Sequence, residues 1–127
     1  MESLYVEKNL EISFDPVHQF LYCNWIGFQN KELITEGGAV MLRLLKEKNC
    51  SKVLNDNRNV TGPWQEAAEW TSTVWFPSML QAGLKNFAWI FSPNIFAELS
   101  AIKAMPAFDV VKTFNDYDQA RDWIIQQ

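Results

Sequence analysis

Apolar and polar residues alternate along Leu10-Glu11-Ile12-Ser13-Phe14, the period-two signature of a half-buried strand. Asp15-Pro16-Val17-His18 supplies turn chemistry, and Gln19 to Gly27 follows as an aromatic-rich strand expected to be covered on both faces. The two segments read as an antiparallel hairpin, with room for a short strand at Leu4 to Val6 ahead of them. From Asn30 or Lys31 to Lys48 the period becomes helical: Ile34, Met41, Leu42 and Leu45 fall on one stripe, broadened by Val40 and Leu44. Gly37-Gly38 lies inside this helix, where each glycine costs about 1 kcal/mol relative to alanine. Close packing against the sheet or another chain is the expected reason.

Lys52 to Asn55 reads as a short central strand that empties into a polar loop, Asp56-Asn57-Arg58-Asn59-Val60-Thr61-Gly62. A second helix runs from about Pro63 to Ala82, with Pro63 or Trp64 suited to its first turn. Pro77 cannot donate to Thr73, so a kink or break is expected there, and Gly83 is a natural stop. Phe87 to Phe91 is continuously apolar, as in a strand buried on both faces. Ser92-Pro93-Asn94 starts a short helix through about Lys103, and Phe108 to Phe114 is the last strand. The closing helix spans Asp116 to Gln126, capped by Asn115 or Asp116, with Ala120, Trp123 and Ile124 facing inward. The order β-β-α-β-α-β-α-β-α, without repeat or linker, describes a single α/β domain over residues 1–127 with one mixed sheet.

Composition changes this picture in one respect. Six tryptophans (Trp25, Trp64, Trp70, Trp75, Trp89 and Trp123) exceed what a core of this size comfortably needs, so some should line a cleft or a subunit contact. Trp64 and Trp75 share a helical face while Trp70 points elsewhere; with Phe76 they form either a partner surface, the wall of an apolar pocket, or core folded under the sheet edge. The net charge of -4 argues against nucleic-acid binding, which depends on neutralising phosphates. The basic cluster Arg43, Lys46, Lys48 and Lys52 is better explained as a solvated helix face. No apolar run approaches the ~20 residues of a membrane-spanning helix, and Met1-Glu2-Ser3-Leu4 does not resemble a signal peptide, so a cytoplasmic location is expected. Cys23 and Cys50 lack CxxC spacing and are expected to be reduced and structural.

Several phrases together resemble one family. Val53-Leu54-Asn55-Asp56-Asn57-Arg58-Asn59-Val60-Thr61-Gly62 resembles its "vLvDlRnvkG" segment. Gln81-Ala82-Gly83-Leu84-Lys85-Asn86-Phe87-Ala88 is similar to its "aaGlkrvA", and Phe114, Ala120 and Trp123-Ile124 match its closing "F…eeAl.WL". These look like the bacterial STAS-like proteins, related in fold to anti-sigma-factor antagonists and grouped with CRAL-TRIO lipid-binding domains. The resemblance spans roughly Ile12 to Ile125. It implies a four- to five-stranded mixed β-sheet, packed here with about four α-helices, in a protein that works mostly by binding. True antagonists carry a phosphorylatable serine after the central strand in a "DSxG"-like phrase. Here the matching region holds Asp56, Asn57 and Thr61-Gly62 with no serine, which puts the phospho-switch in doubt.

The candidate binding residues are therefore Asp56, Asn57, Arg58, Asn59 and Thr61 in the polar loop, with Trp64, Trp70, Trp75 and Phe76 on the helix after it. Asp56, Arg58 and Asn59 can hold a ligand or partner near that helix's amino end, or Asp56 can simply pair with Arg58 and shape the loop. Catalysis has little to rest on. His18 is the only histidine and sits in a turn, no GxSxG elbow or Gly-rich phosphate loop is present, and one His with two distant Cys gives no metal spacing. Carboxylates could be paired from Asp56 with Glu66 or Glu69, without diagnostic spacing. The expectation is a non-catalytic domain with no cofactor, binding a protein partner in regulation, with a homodimer as one form. The alternatives are a binder of a small apolar or lipid-like ligand and, behind both, a hydrolase or transferase using Asp56.

Overall fold

Six strands line up in the order in which they occur along the chain: β1 (Glu2–Val6), β2 (Leu10–Asp15), β3 (Phe20–Gly27), β4 (Lys52–Val60), β5 (Asn86–Ile90) and β6 (Val111–Phe114). They are seen in a computed structural model that describes residues 1–127. β1 to β3 are antiparallel; β3 to β6 are parallel. The sheet thus has six strands where four to five were expected. The optional strand at the amino end is real: β1 adds to the free edge of β2, and its Leu4 and Tyr5 pack on the core.

Each parallel step is made by a helix. Helix α1 (Lys31–Glu47) joins β3 to β4, and α4 (Ile95–Lys103) joins β5 to β6. Between β4 and β5 runs one helical unit in three parts, α2 (Gln65–Trp70), a π-helical segment Thr71–Trp75, and α3 (Phe76–Gln81). Because the strands are added in sequence and such crossovers share one hand, these helices all fall on the same face of the sheet. Their Ile34, Met41, Leu45, Ala67, Phe76, Met79 and Ala101 share a core with Leu21, Cys23, Val53 and Phe87 of the strands. The closing helix α5 (Tyr117–Ile125) returns to the opposite face, where Ala120 and Ile124 cover Phe20, Leu54, Ala88 and Ile90. Val53 and Leu54, or Phe87 and Ala88, point to opposite cores, as period-two geometry requires. Asn30, Asn94 and Asp116 cap α1, α4 and α5 through their side chains.

One expectation takes a milder form and one is corrected. Of the kink or break expected at Pro77, there is no break in the helical run. The turn before it widens instead, so that the Phe76 N–H donates to the Thr71 carbonyl five residues back. The wider turn absorbs the misfit of a proline ring with the preceding turn. The hydroxyls of Thr71, Thr73 and Ser78 donate to carbonyls four residues earlier along the same unit. Nor does the polar run after Asn55 form a loop. β4 continues to Val60 because β3 is long enough to pair with it, Ile26 and Gly27 lying opposite Asn59 and Val60. The Gly37-Gly38 pair is explained by close packing. A β-carbon on Gly37 would stand 2.5 Å from the Trp25 ring, and one on Gly38 would stand 2.9 Å from Trp75 Nε1.

Candidate functional site

β4 carries the candidate residues, and its pleat sorts them onto opposite faces of the sheet. The pairing with β3 slips between Asn24 and Ile26, so β4 carries one extra residue there, a β-bulge that re-aims the side chains after it. As a result Asn55, Asn57 and Val60 face the side of α1 and α2. Asp56, Arg58 and Asn59 make their contacts on the α5 side, with Tyr22 and Asn24 of β3 and Tyr117 of α5.

On the α5 side Asp56 is fully buried and fully engaged. Arg58 grips it with Nε at 3.0 Å and Nη2 at 2.7 Å, and the Arg58 backbone N–H donates at 3.0 Å. The Tyr22 hydroxyl donates to Oδ2 at 2.6 Å. Arg58 also lies 5.0 Å from the Tyr117 ring centroid, and that ring meets Tyr22 edge-on at 5.7 Å. Burial pushes the Asp56 carboxyl up, but hydrogen bonds from Arg58 and Tyr22 outweigh it and hold the group below its ordinary value. The same contacts raise Arg58 and, with burial first, Tyr22. Such a carboxylate is neither a free base nor a nucleophile. Glu66 and Glu69 are exposed on α2, across the sheet, and cannot pair with it.

The other face is different. Trp25, Trp64, Trp70, Trp75 and Trp89, five of the six tryptophans, surround a cavity of about 40 Å³ together with Asn55, Asn57, Gln29 and Phe87. No charged residue lines it. Trp64 stacks on Trp89 at 6.3 Å, and Trp75 donates its indole N–H to the Gly38 carbonyl at 2.8 Å. Trp25 donates to Asn55 Oδ1 at 2.9 Å, and Asn55 Nδ2 in turn donates to Asn57 Oδ1 at 3.3 Å. Gln29 is occupied at both ends, by Asn9 and by the Ile26 carbonyl. Trp89, 2% exposed, is the exception: its indole nitrogen is buried without an acceptor.

The nine candidate residues do not form one site. Trp64, Trp75 and Phe76 are buried and Trp70 is half-buried, so no free partner surface is made of the first three. Thr61 is exposed, and its carbonyl accepts from the Asn94 side chain. His18 leans on Asp15 at 3.2 Å in the β2–β3 turn. Cys23 and Cys50 are free and buried, and burial raises both thiols. Residues absent from the candidate list matter too. On α4 the small residues Ala97, Ser100, Ala101 and Ala104 face inward, leaving Ile95, Phe96, Leu99 and Ile102 between 48% and 63% exposed. Phe28, 65% exposed, stands beside Gly62 in the segment that Asn94 ties to α4. No helix is long and apolar enough to cross a membrane, and no group of three or more potential ligand residues could hold a metal ion.

No protein-family model and no curated protein sequence matches this chain.

Proposed function

We propose that this chain is a non-catalytic STAS-like domain that works by docking a partner protein on the outer face of α4. What carries this reading is the inverted burial of that helix, with its large side chains outside and its small ones inside. Isolated exposed apolar residues are ordinary, but a contiguous patch on a monomer usually marks an interaction surface. Nine residues make a helix only about 13 Å long, whereas a stable dimer buries about 800 Å² on each partner. A stripe of four side chains extended by Phe28 is smaller than that, which favours a transient partner over an obligate second copy. Catalysis by Asp56 has less support, since Arg58 and Tyr22 already occupy the carboxylate.

The test places a photo-crosslinking residue at Leu99 and, as an apolar control that is more exposed still, at Val17 in the β2–β3 turn. A discrete adduct from position 99, absent from position 17 and lost in Phe96→Asp, is the expected result. Identical adducts from both positions, or adducts consisting only of this chain, would contradict the reading.

A further inference from the structure

We infer that the tryptophan-lined cavity binds a small uncharged ligand by a compact aliphatic group of about four carbons, the rest of the ligand passing out beside Trp70. None of the α4 side chains lines the cavity, so the inference stands apart from the docking face.

The chemistry of the wall follows from the polar groups that the protein uses up. Gln29, Asn55, Asn57 and Thr71 reach the cavity, and each is bonded within the protein. Asn55 accepts from Trp25 and donates to Asn57, while Gln29 bonds Asn9 and the Ile26 carbonyl. The Thr71 hydroxyl donates to the Ala67 carbonyl at 2.9 Å. The Trp75 indole N–H is taken by Gly38, and the Trp89 indole nitrogen has less than 1 Å² of accessible surface, so neither is open to a ligand. What remains facing the cavity is almost wholly apolar: the five indoles with Ile34, Met41, Val60 and Phe87. Recognition there rests on burial and dispersion. A polar group would exchange its bonds to water for none. A charged one would lose its hydration with no counter-charge in the wall.

Size limits the group. One water-sized group needs about 10–15 Å³, so a cavity of about 40 Å³ holds roughly three or four of them. That is the bulk of a butyl or tert-butyl group. A long acyl chain would leave most of its length outside. Access is fixed at one place, since Trp70 is the only lining residue that is not buried. Its ring leans on Gly38, where an added β-carbon would stand 3.2 Å from Trp70 Cη2. The Trp70 ring is therefore the wall at the mouth, past which the rest of the ligand leaves. The π-helical segment begins directly after it, and such segments are frequent at functional sites.

The experiment uses the full ¹⁵N-labelled chain and follows its six indole N–H resonances, each assigned by its loss in a Trp→Phe variant. The probe 3,3-dimethylbutan-1-ol carries a neutral tert-butyl group. It is expected to shift the resonances of Trp64, Trp70 and Trp75 in a saturable way, while Trp123, on α5 across the sheet, stays unmoved. Choline puts a positive charge at the centre of the same shape and should bind at least about tenfold more weakly. From 1-butanol to 1-octanol the affinity should rise by less than about fourfold in all, the gain from burying one methylene. Val60→Phe, which fills the cavity with a phenyl ring, should abolish the saturable shift, and Phe96→Asp should leave it intact. Three results on the wild-type chain would each overturn the proposal: no saturable shift confined to the cavity indoles, choline binding as tightly as the alcohol, or a rise of about fourfold for every carbon added up to 1-octanol. Undiminished binding by a folded Val60→Phe chain would overturn it as well.

Discussion

The two faces of β4 solve the same problem in opposite ways. Both bury polar side chains of one strand under helices, and the residues alternate along the four positions Asn55 to Arg58. On the α5 face Asp56, Arg58 and Tyr22 satisfy one another, with the Tyr117 ring packed on the guanidinium. On the α1–α2 face the chain Trp25–Asn55–Asn57 ends with a donor to spare, and Trp89 adds another. A closed polar network specifies structure, because every member would be penalised if a partner moved. An open one lacks that restraint at its unpaired donor. The difference separates residues that satisfy one another from residues left with an unmet hydrogen bond.

Breaking the closed side should have the largest effect. Asp56→Asn removes the charge that Arg58 and Tyr22 surround, and urea unfolding should show a loss of about 2–3 kcal/mol at neutral pH. The gap between wild type and variant should depend on pH with a definite sign. The Asp56 carboxyl is held below its ordinary value in the fold, so its contribution is complete above the unfolded value of about 3.9 and is lost as pH falls through the lower folded value. A gap that instead widened in acid would contradict the assignment. Tyr22→Phe, which deletes one charge-assisted hydrogen bond, should come next at about 1.5 kcal/mol in the same assay. On the open side Asn57→Leu gives up a long 3.3 Å hydrogen bond and leaves the Asn55 amide nitrogen without that acceptor, so stability should fall by about 1 kcal/mol. A loss as large as that of Asp56→Asn would show that the two faces are not different in kind. Outside both, Leu99→Ser on the exposed face of α4 should change stability by less than about 0.5 kcal/mol.

Much of the fold was legible in the sequence. The alternation at Leu10 to Phe14, the helical stripe Ile34 to Leu45 and the apolar run Phe87 to Ile90 each occupy the element their period implies. Gly37-Gly38 was legible as a packing signal because glycine is otherwise unfavourable in a helix. The polar end of β4 was not. Composition marks Asp56 to Asn59 as a loop, and the partners that make it a strand, Tyr22, Trp25 and Asn24, lie thirty or more residues earlier. The candidate residues are neighbours in sequence, but a period-two strand with a bulge parts them in space. The α4 surface was hidden for a different reason. Periodicity assigns large apolar residues to the interior, whereas close helix packing here selects Ala97, Ser100, Ala101 and Ala104. The Ser100 hydroxyl accepts from the Trp64 backbone N–H at 2.9 Å, a contact that only small neighbours permit. A run of Ala and Ser spaced by three and four among large residues was the available signal.

The most direct test of the contrast is the ¹H–¹⁵N spectrum of the free protein, read at its indole N–H resonances over a range of temperatures. Trp25 and Trp75 donate to protein acceptors at 2.9 and 2.8 Å and should show the small temperature dependence of internally bonded protons. Trp89 should stand apart, upfield of both and more sensitive to temperature, as a donor with no protein acceptor. A Trp89 resonance as far downfield and as insensitive to temperature as that of Trp25 would mean the donor is already satisfied, and the open face would be closed.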